Sequence, residues 1–283
     1  MKALSGWIAL FLLAFIAALI YKLPARWVYE QGQPLLAERA AWSQRIAVVG
    51  LGGSLWQGHA AQLRFDERLL GRFSWTVTPL ALLDGRVGLN WLLQQADGHL
   101  QGSAFTALDR SGELLQDVQG QFAANEVISF FPYLPLLLEG RIVVDLPEVA
   151  IKGQYLTHVQ GTIRWQQAAL TAPQAIALGD LLFTLQPQEE PAKPPAETSA
   201  SGGTVVVAKQ KKADLLVMGT LSNQGGEVAI EGSVQLFRRG KVESQIAIAP
   251  RQGASAAIQN SLALLGRRGR DGQYHLNWSG VLQ

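Results

Sequence analysis

Apolar and polar positions along this chain follow two patterns: one unbroken apolar run near the start, then, from Ile46 onward, a long series of alternating segments. The run Ala3–Tyr21 holds no charged residue, with Lys2 before it and Lys22 and Arg26 after it. At about 1.5 Å of rise per residue, a helix of this length spans a hydrocarbon core of about 30 Å. It predicts a membrane anchor over 1–22 whose apolar surface is Trp7, Ile8, Leu10, Phe11, Leu12, Leu13, Phe15, Ile16, Leu19 and Ile20. A cleavable signal peptide has a shorter apolar region and a small-x-small cleavage site, and no Ala-x-Ala pattern precedes Lys22. Basic residues flank the run almost evenly. The orientation expected is therefore the usual one for an N-terminal anchor ahead of a large domain, with the N-terminus cytoplasmic and the bulk of the chain on the far side.

The stretch 23–45 reads as a broken helical segment. Trp27, Val28, Gln31, Leu35 and Trp42 recur near one face, while Gly32 and Pro34 interrupt it, since proline lacks the N–H and clashes one turn back. Trp27 and Tyr29 also suit the membrane interface.

Beyond Ile46 the period becomes two. Phe73, Trp75 and Val77 alternate with Ser74 and Thr76, and Leu181, Phe183 and Leu185 with Leu182 and Thr184. Ile142 and Val144, the even positions of Val228–Leu236, and Tyr274, Leu276 and Trp278 repeat the pattern. Such alternation places apolar side chains on one face of a sheet, as in antiparallel rather than parallel sheets. The fold class expected is mainly β: a membrane helix followed by a curved, mostly antiparallel β-sheet domain over 46–283 with a few short helices. Those helices are expected at Pro79–Leu83, with proline in the first turn, from Asn125 to Phe131, and at Ser255–Leu265, with Ser255 as cap and Gly266 as terminator. The segment 186–212, with Pro187, Pro191, Pro194, Pro195 and a Ser-Ala-Ser-Gly-Gly stretch, cannot bury a core and is expected to be a disordered insert at the tip of a hairpin. Val205–Val207 within it could add a short strand.

Composition narrows the chemistry. The 24 basic and 22 acidic residues leave a net charge of +2, too balanced for a nucleic-acid surface. With no cysteine there is no thiol nucleophile and no thiolate metal site. His59, His99, His158 and His275 are too far apart in sequence to form a spaced ligand set, and no Gly-x-Ser-x-Gly elbow occurs. No catalytic residue, metal site or cofactor is predicted. Arg267, Arg268 and Arg270 could meet an anionic partner or simply face water. The sharpest local feature is Gly53-Ser54-Leu55-Trp56-Gln57-Gly58, a tryptophan bracketed by glycines at a strand entrance. It suggests a turn with an indole packed on neighbouring backbone, or a contact surface. Gly53, Leu55, Trp56, Gln57 and Gly58, with Tyr274 and Trp278 of the last strand, are the candidate partner contacts.

Several segments, taken in order, carry a resemblance: Leu23-Pro24-Ala25-Arg26-Trp27-Val28 after the apolar run, Gly53–Ala60, Phe73–Leu83 with its Trp-x-x-x-Pro, Val159–Trp165, and the ending Asp271–Gly280. Together they resemble the type II secretion system protein N family over nearly the whole chain, the 186–212 insert being a departure. The resemblance implies a bacterial inner-membrane protein with a periplasmic β-rich domain. It implies an accessory, non-enzymatic part in assembling the machine that exports folded proteins across the outer membrane. The partners would be other components of that system, in the inner or the outer membrane, with membrane lipid met through the anchor and no nucleic acid. A sheet with one apolar face also admits a second reading, an anchored β-groove that binds or transfers lipid, with Trp75, Trp91, Trp165 and Trp278 along the groove.

Overall fold

A computed structural model describes residues 11, 15, 21–39, 45–66, 68–107, 112–128, 137–152, 155–172, 175–187, 215–237, 240–255, 258–259, 262 and 268–281. The chain divides into two compact units, 1–109 and 110–283. Both are built from antiparallel ladders between strands adjacent in sequence, as one-sided alternation predicts.

The first unit contains α1 (Ala25–Arg39) and strands β1 (Ile46–Gly53), β2 (Gln57–Phe65), β3 (Arg68–Thr78), β4 (Arg86–Gln94) and β5 (His99–Ala107). A 3-10 helix, Pro79–Asp84, joins β3 to β4, with proline in its first turn as expected and Gly85 closing it in the left-handed region. The ladder sets Gly58, Trp75, Trp91 and Gly102 in one cross-strand row and Ala60, Phe73, Leu93 and Leu100 in the next. The two indoles are thus flanked by glycines that leave them room. Gln57, Thr76, Asn90 and Ser103 form the row on the other face, where Ser103 Oγ lies 2.8 Å from Asn90 Oδ1. Phe73, Trp75, Trp91 and Leu93 are half-buried.

One expectation in this unit needs adjusting. The segment expected to be a broken helix runs as one α-helix from Ala25 to Arg39, straight through Gly32 and Pro34. The proline removes one N–H, and the turns on either side carry the helix across it. Most of the run Ala3–Tyr21, including Trp7, Ile8, Leu10, Leu12, Leu13, Ile16, Leu19 and Ile20, lies outside the described residues. Phe11, Phe15 and Tyr21 are helical and exposed, and the Phe11 and Phe15 rings stack with centroids 6.4 Å apart. Among the described residues, no helix is long and apolar enough to cross a membrane.

The open end of the β1–β2 hairpin is held by Arg45 and Asp66. Arg45 Nε donates to Asp66 Oδ1 at 2.9 Å, the Asp66 N–H donates to the Arg45 carbonyl at 2.8 Å, and the guanidinium lies over the Phe65 ring. The Arg45 hydrogen bond holds the Asp66 carboxyl below its usual range. A depressed carboxyl stabilises the fold fully above its unfolded pKa of about 3.9 and ceases to do so as pH falls through the folded value. Asp66→Asn should therefore melt below the parent at pH 7, and the gap should close below about pH 4. Melting temperatures of the two chains from pH 7 to pH 3 measure it, and a gap constant across that range would refute the linkage.

The second unit holds β6 (Glu113–Ala123), α2 (Ala124–Ile128), β7 (Leu137–Lys152), β8 (Tyr155–Ala172), β9 (Ile176–Pro187), β10 (Leu215–Gln224), β11 (Val228–Phe237), β12 (Lys241–Pro250) and β13 (Tyr274–Val281). β9 and β10, on either side of the proline-rich segment, are antiparallel neighbours. Gln186 and Pro187, assigned to the insert from sequence, still belong to β9 and pair with Met218 and Val217. The remainder of 186–212, Val205–Val207 included, lies outside the described residues.

Val149, Val159, Val217, Leu236 and Val242 form one buried cluster of this unit, and Val228, Ile230, Ile258 and Leu262 another. Ile258 and Leu262 come from the helix expected after Ser255. Ser255 Oγ accepts the Ile258 N–H at 3.3 Å, the N-cap arrangement that satisfies an otherwise orphaned donor. Beside this cluster Asn223 ties three strands. Its Nδ2 donates to the Leu178 and Val228 carbonyls, and its Oδ1 accepts the Ile230 N–H at 2.7 Å and Arg251 Nη2 at 3.1 Å.

Candidate functional site

The Gly53–Gly58 segment is the turn of the β1–β2 hairpin. Gly53 and Gly58 face one another across it, and the Ser54 N–H donates to the Gln57 carbonyl at 2.9 Å. The Gln57 N–H in turn donates to Ser54 Oγ at 3.2 Å. Gly53 has φ +87, and a Cβ there would stand 2.5 Å from the Gln57 carbonyl oxygen, so no other residue fits without strain.

Four outside groups fasten the turn. The Leu55 N–H donates to the Leu23 carbonyl at 2.9 Å, and Pro24 bridges Ser54, so the segment leaving the apolar run is hooked to the turn. The Val77 N–H donates to the Trp56 carbonyl at 2.7 Å. Trp75 Nε1 donates to the Leu55 carbonyl at 3.0 Å, its ring lying so close to Gly58 that a Cβ there would meet Cζ2 at 2.4 Å. The Trp75 indole, from the neighbouring strand, thus rests on the glycine backbone of the turn. Trp56 and Gln57 line an open depression with Tyr21, Lys22, Thr76, Val77 and Pro79. Gln57 is exposed and Leu55 half-buried.

Tyr274 and Trp278 belong to the second unit. They lie on β13, which pairs with β12 through Tyr274↔Ile248 and Trp278↔Ser244. Tyr274 packs against the Ile258 cluster, whereas Trp278 is 56% exposed with its ring over Gly280. The loop before β13 is organised by Asp271, which accepts the Gln273 N–H at 3.1 Å and sits 2.7 Å from His275 Nε2. The Gln273 N–H, and then His275, pull the Asp271 carboxyl below its usual range. Arg268 Nε donates to the Gly272 carbonyl, so this arginine of the basic cluster is engaged within its own loop.

Nothing in these arrangements assembles a nucleophile with a base. His59 and His99 are exposed strand residues, and His158 Nε2 has no hydrogen-bond partner and stands 3.9 Å from Glu148. Among the described residues, no group of three His, Asp or Glu side chains could hold a metal ion. Both segments present an exposed side chain, Gln57 at the hairpin turn and Trp278 on β13. The part of Trp75 in the turn was missed from sequence because it depends on the pairing Gly58↔Trp75.

A family model described as type II secretion system (T2SS), protein N, matches residues 44–213. The type II secretion system protein N of Vibrio cholerae serotype O1 is 27% identical over 191 residues, covering 66% of this chain and 73% of that protein. The protein of the same name from Aeromonas hydrophila is 25% identical over 183 residues, covering 61% of this chain and 66% of its own. No solved structure matches the chain. The residues matched by the family model take in strands β1 to β9 and the whole Gly53–Gly58 turn, and stop short of β10; Tyr274 and Trp278 lie beyond them.

Proposed function

The chain belongs to the type II secretion system protein N family, and on that footing we propose that it serves this secretion system as an accessory scaffold, without enzymatic activity of its own. The family match carries the proposal. The proposed setting is the bacterial inner membrane, crossed once by Ala3–Tyr21, with the N-terminus cytoplasmic and the β units periplasmic. The uncharged run and the helical, exposed Phe11, Phe15 and Tyr21 support this placement. The proposed domain layout is an anchor over 1–22, a helical connector over 23–45 and a β-rich region over 46–283 interrupted by the proline-rich insert.

The scaffold would work through surfaces rather than through a reacting group. The Gly53–Gly58 turn is proposed as one contact because it is fastened by four groups from two neighbouring segments and so presents Gln57 without loss of order on binding. β13 is proposed as a second, with Trp278 as its anchor side chain, since exposed aromatic residues supply much contact area at little entropic cost. The partners proposed are other components of the same secretion system.

Photo-crosslinking in cells tests this, with a photoreactive residue in place of Gln57 or of Gln273. Capture of other secretion-system proteins is the expected result and names the contact face. Capture of phospholipid or lipopolysaccharide at both positions would replace the scaffold with the lipid-groove alternative.

A further inference from the structure

The 3-10 helix Pro79–Asp84 leaves three leucines uncovered: Leu80 and Leu83 are 72% and 83% exposed and Leu82 is 40% exposed, while Ala81 lies against Gly88. The helix follows Thr78, and Thr76 pairs with Gln57, so the leucines stand at the same end of the first unit's ladder as the Gly53–Gly58 turn. The chain also enters the unit at that end, through the Leu23–Leu55 hydrogen bond and the Pro24–Ser54 bridge. Tyr21, Lys22 and Pro79 border a single depression there. Tyr21 and Trp27 are exposed, as suits rings at headgroup level.

We infer that the leucine-bearing 3-10 helix is a second membrane contact, dipping into the surface of the bilayer that Ala3–Tyr21 crosses. This rests on the anchor proposed above. Charge fits a lipid surface carrying anionic headgroups: Lys22, which shares the depression with Pro79, and Arg86, which follows the 3-10 helix, are both exposed. Arg26 is exposed but paired with Glu30, and Asp84 is the one acidic side chain of the 3-10 helix. Apolar side chains with cations beside them are how interfacial elements bind anionic membranes. Two attachments, one crossing and one resting on the surface, would fix which way the first unit faces, where a lone anchor leaves it free to swivel.

Because the chain has no cysteine, single-cysteine variants of the full chain can each carry one nitrobenzoxadiazole label. We would label Leu83→Cys, Leu12→Cys and Asp97→Cys, the last in the exposed β4–β5 turn at the opposite end of the ladder. The probe is a vesicle of phosphatidylethanolamine and phosphatidylglycerol with a nitroxide-bearing lipid quencher. Position 83 should be quenched at least about threefold more than position 97, as fits a side chain about 5–10 Å inside the headgroup boundary. Aqueous iodide should give the reverse order. Equal lipid quenching at 83 and 97, with position 12 still quenched, overturns the second contact and leaves the anchor standing. Loss of lipid quenching at position 12 overturns the anchor and the contact together. Position 83 touches little protein, so the cysteine there removes no buried contact.

Discussion

Ile258→Ala is expected to lower the stability of the β10–β13 region by about 2–5 kcal/mol, the usual cost of truncating a fully buried isoleucine and leaving a cavity. Ile258 is 1% exposed and joins Val228, Ile230 and Leu262 in a buried cluster that a helix closes over. The loss should exceed that of a strand valine because Ile258 fastens its helix to the sheet. Once it is shortened, the start of that helix keeps the Ser255 cap but loses its buried isoleucine contact. Hydrogen exchange of the amides in Val228–Phe237 reads the effect locally. A loss of 2 kcal/mol corresponds to an acceleration of about thirtyfold, at tenfold per 1.4 kcal/mol. Acceleration below about threefold would mean that the helix contributes little to the sheet beneath it.

Gly58→Val should disable the hairpin turn of the first unit. The new Cβ would stand 2.4 Å from Trp75 Cζ2 and 2.8 Å from the Gly52 carbonyl oxygen, and the second contact is with backbone that has no rotamer to retreat to. Overpacking of this kind costs about 1–3 kcal/mol and occasionally more. Displacing the indole also breaks the Trp75–Leu55 hydrogen bond and loosens the point at which Leu23 is held. Exchange should therefore rise in Gln57–Phe65 and in the backbone around Leu55 together. Gly32→Ala is the matched control. Nothing lies within 4 Å of that position, and in a helix interior alanine is favoured over glycine by about 0.5–1 kcal/mol. Two glycine substitutions in one unit should thus act with opposite signs. If Gly58→Val left exchange unchanged, the close approach of Trp75 to the turn would be refuted.

The parts of the fold that sequence made plain are those in which one face differs from the other. Phe73, Trp75 and Val77, Leu181 to Leu185 and the even positions of Val228–Leu236 declared their strands because each strand has one apolar and one polar side. Pro79 and Ser255 marked their helices because each does a job at a helix start that few other residues do. What stayed hidden depends on register. Gly58 must be small because Trp75 lies across from it, and Asn223 links Leu178, Val228 and Arg251 across neighbouring strands. Local rules also misjudged Pro34, whose helix continues past it, and Gln186–Pro187, where pairing with β10 outweighs a composition that reads as insert. The candidate contact residues Gly53, Leu55, Trp56, Gln57 and Gly58 share one turn, and Tyr274 and Trp278 divide between a packed and an exposed position.

Pairing each strand with its neighbour in sequence has a consequence for how the second unit comes into being. Most of its ladders close over short connections, and such local contacts make folding fast. The β9–β10 ladder spans the longest connection in sequence, 188–214, ahead of 251–273 between β12 and β13. A connection about three doublings longer than a tight turn adds about 2 kcal/mol of closure entropy. β6–β9 and β10–β13 are then expected to zip up as two separate halves, with the β9–β10 seam the last to close and the first to part. A pulling force applied to the two ends of this unit would find its weakest joint there.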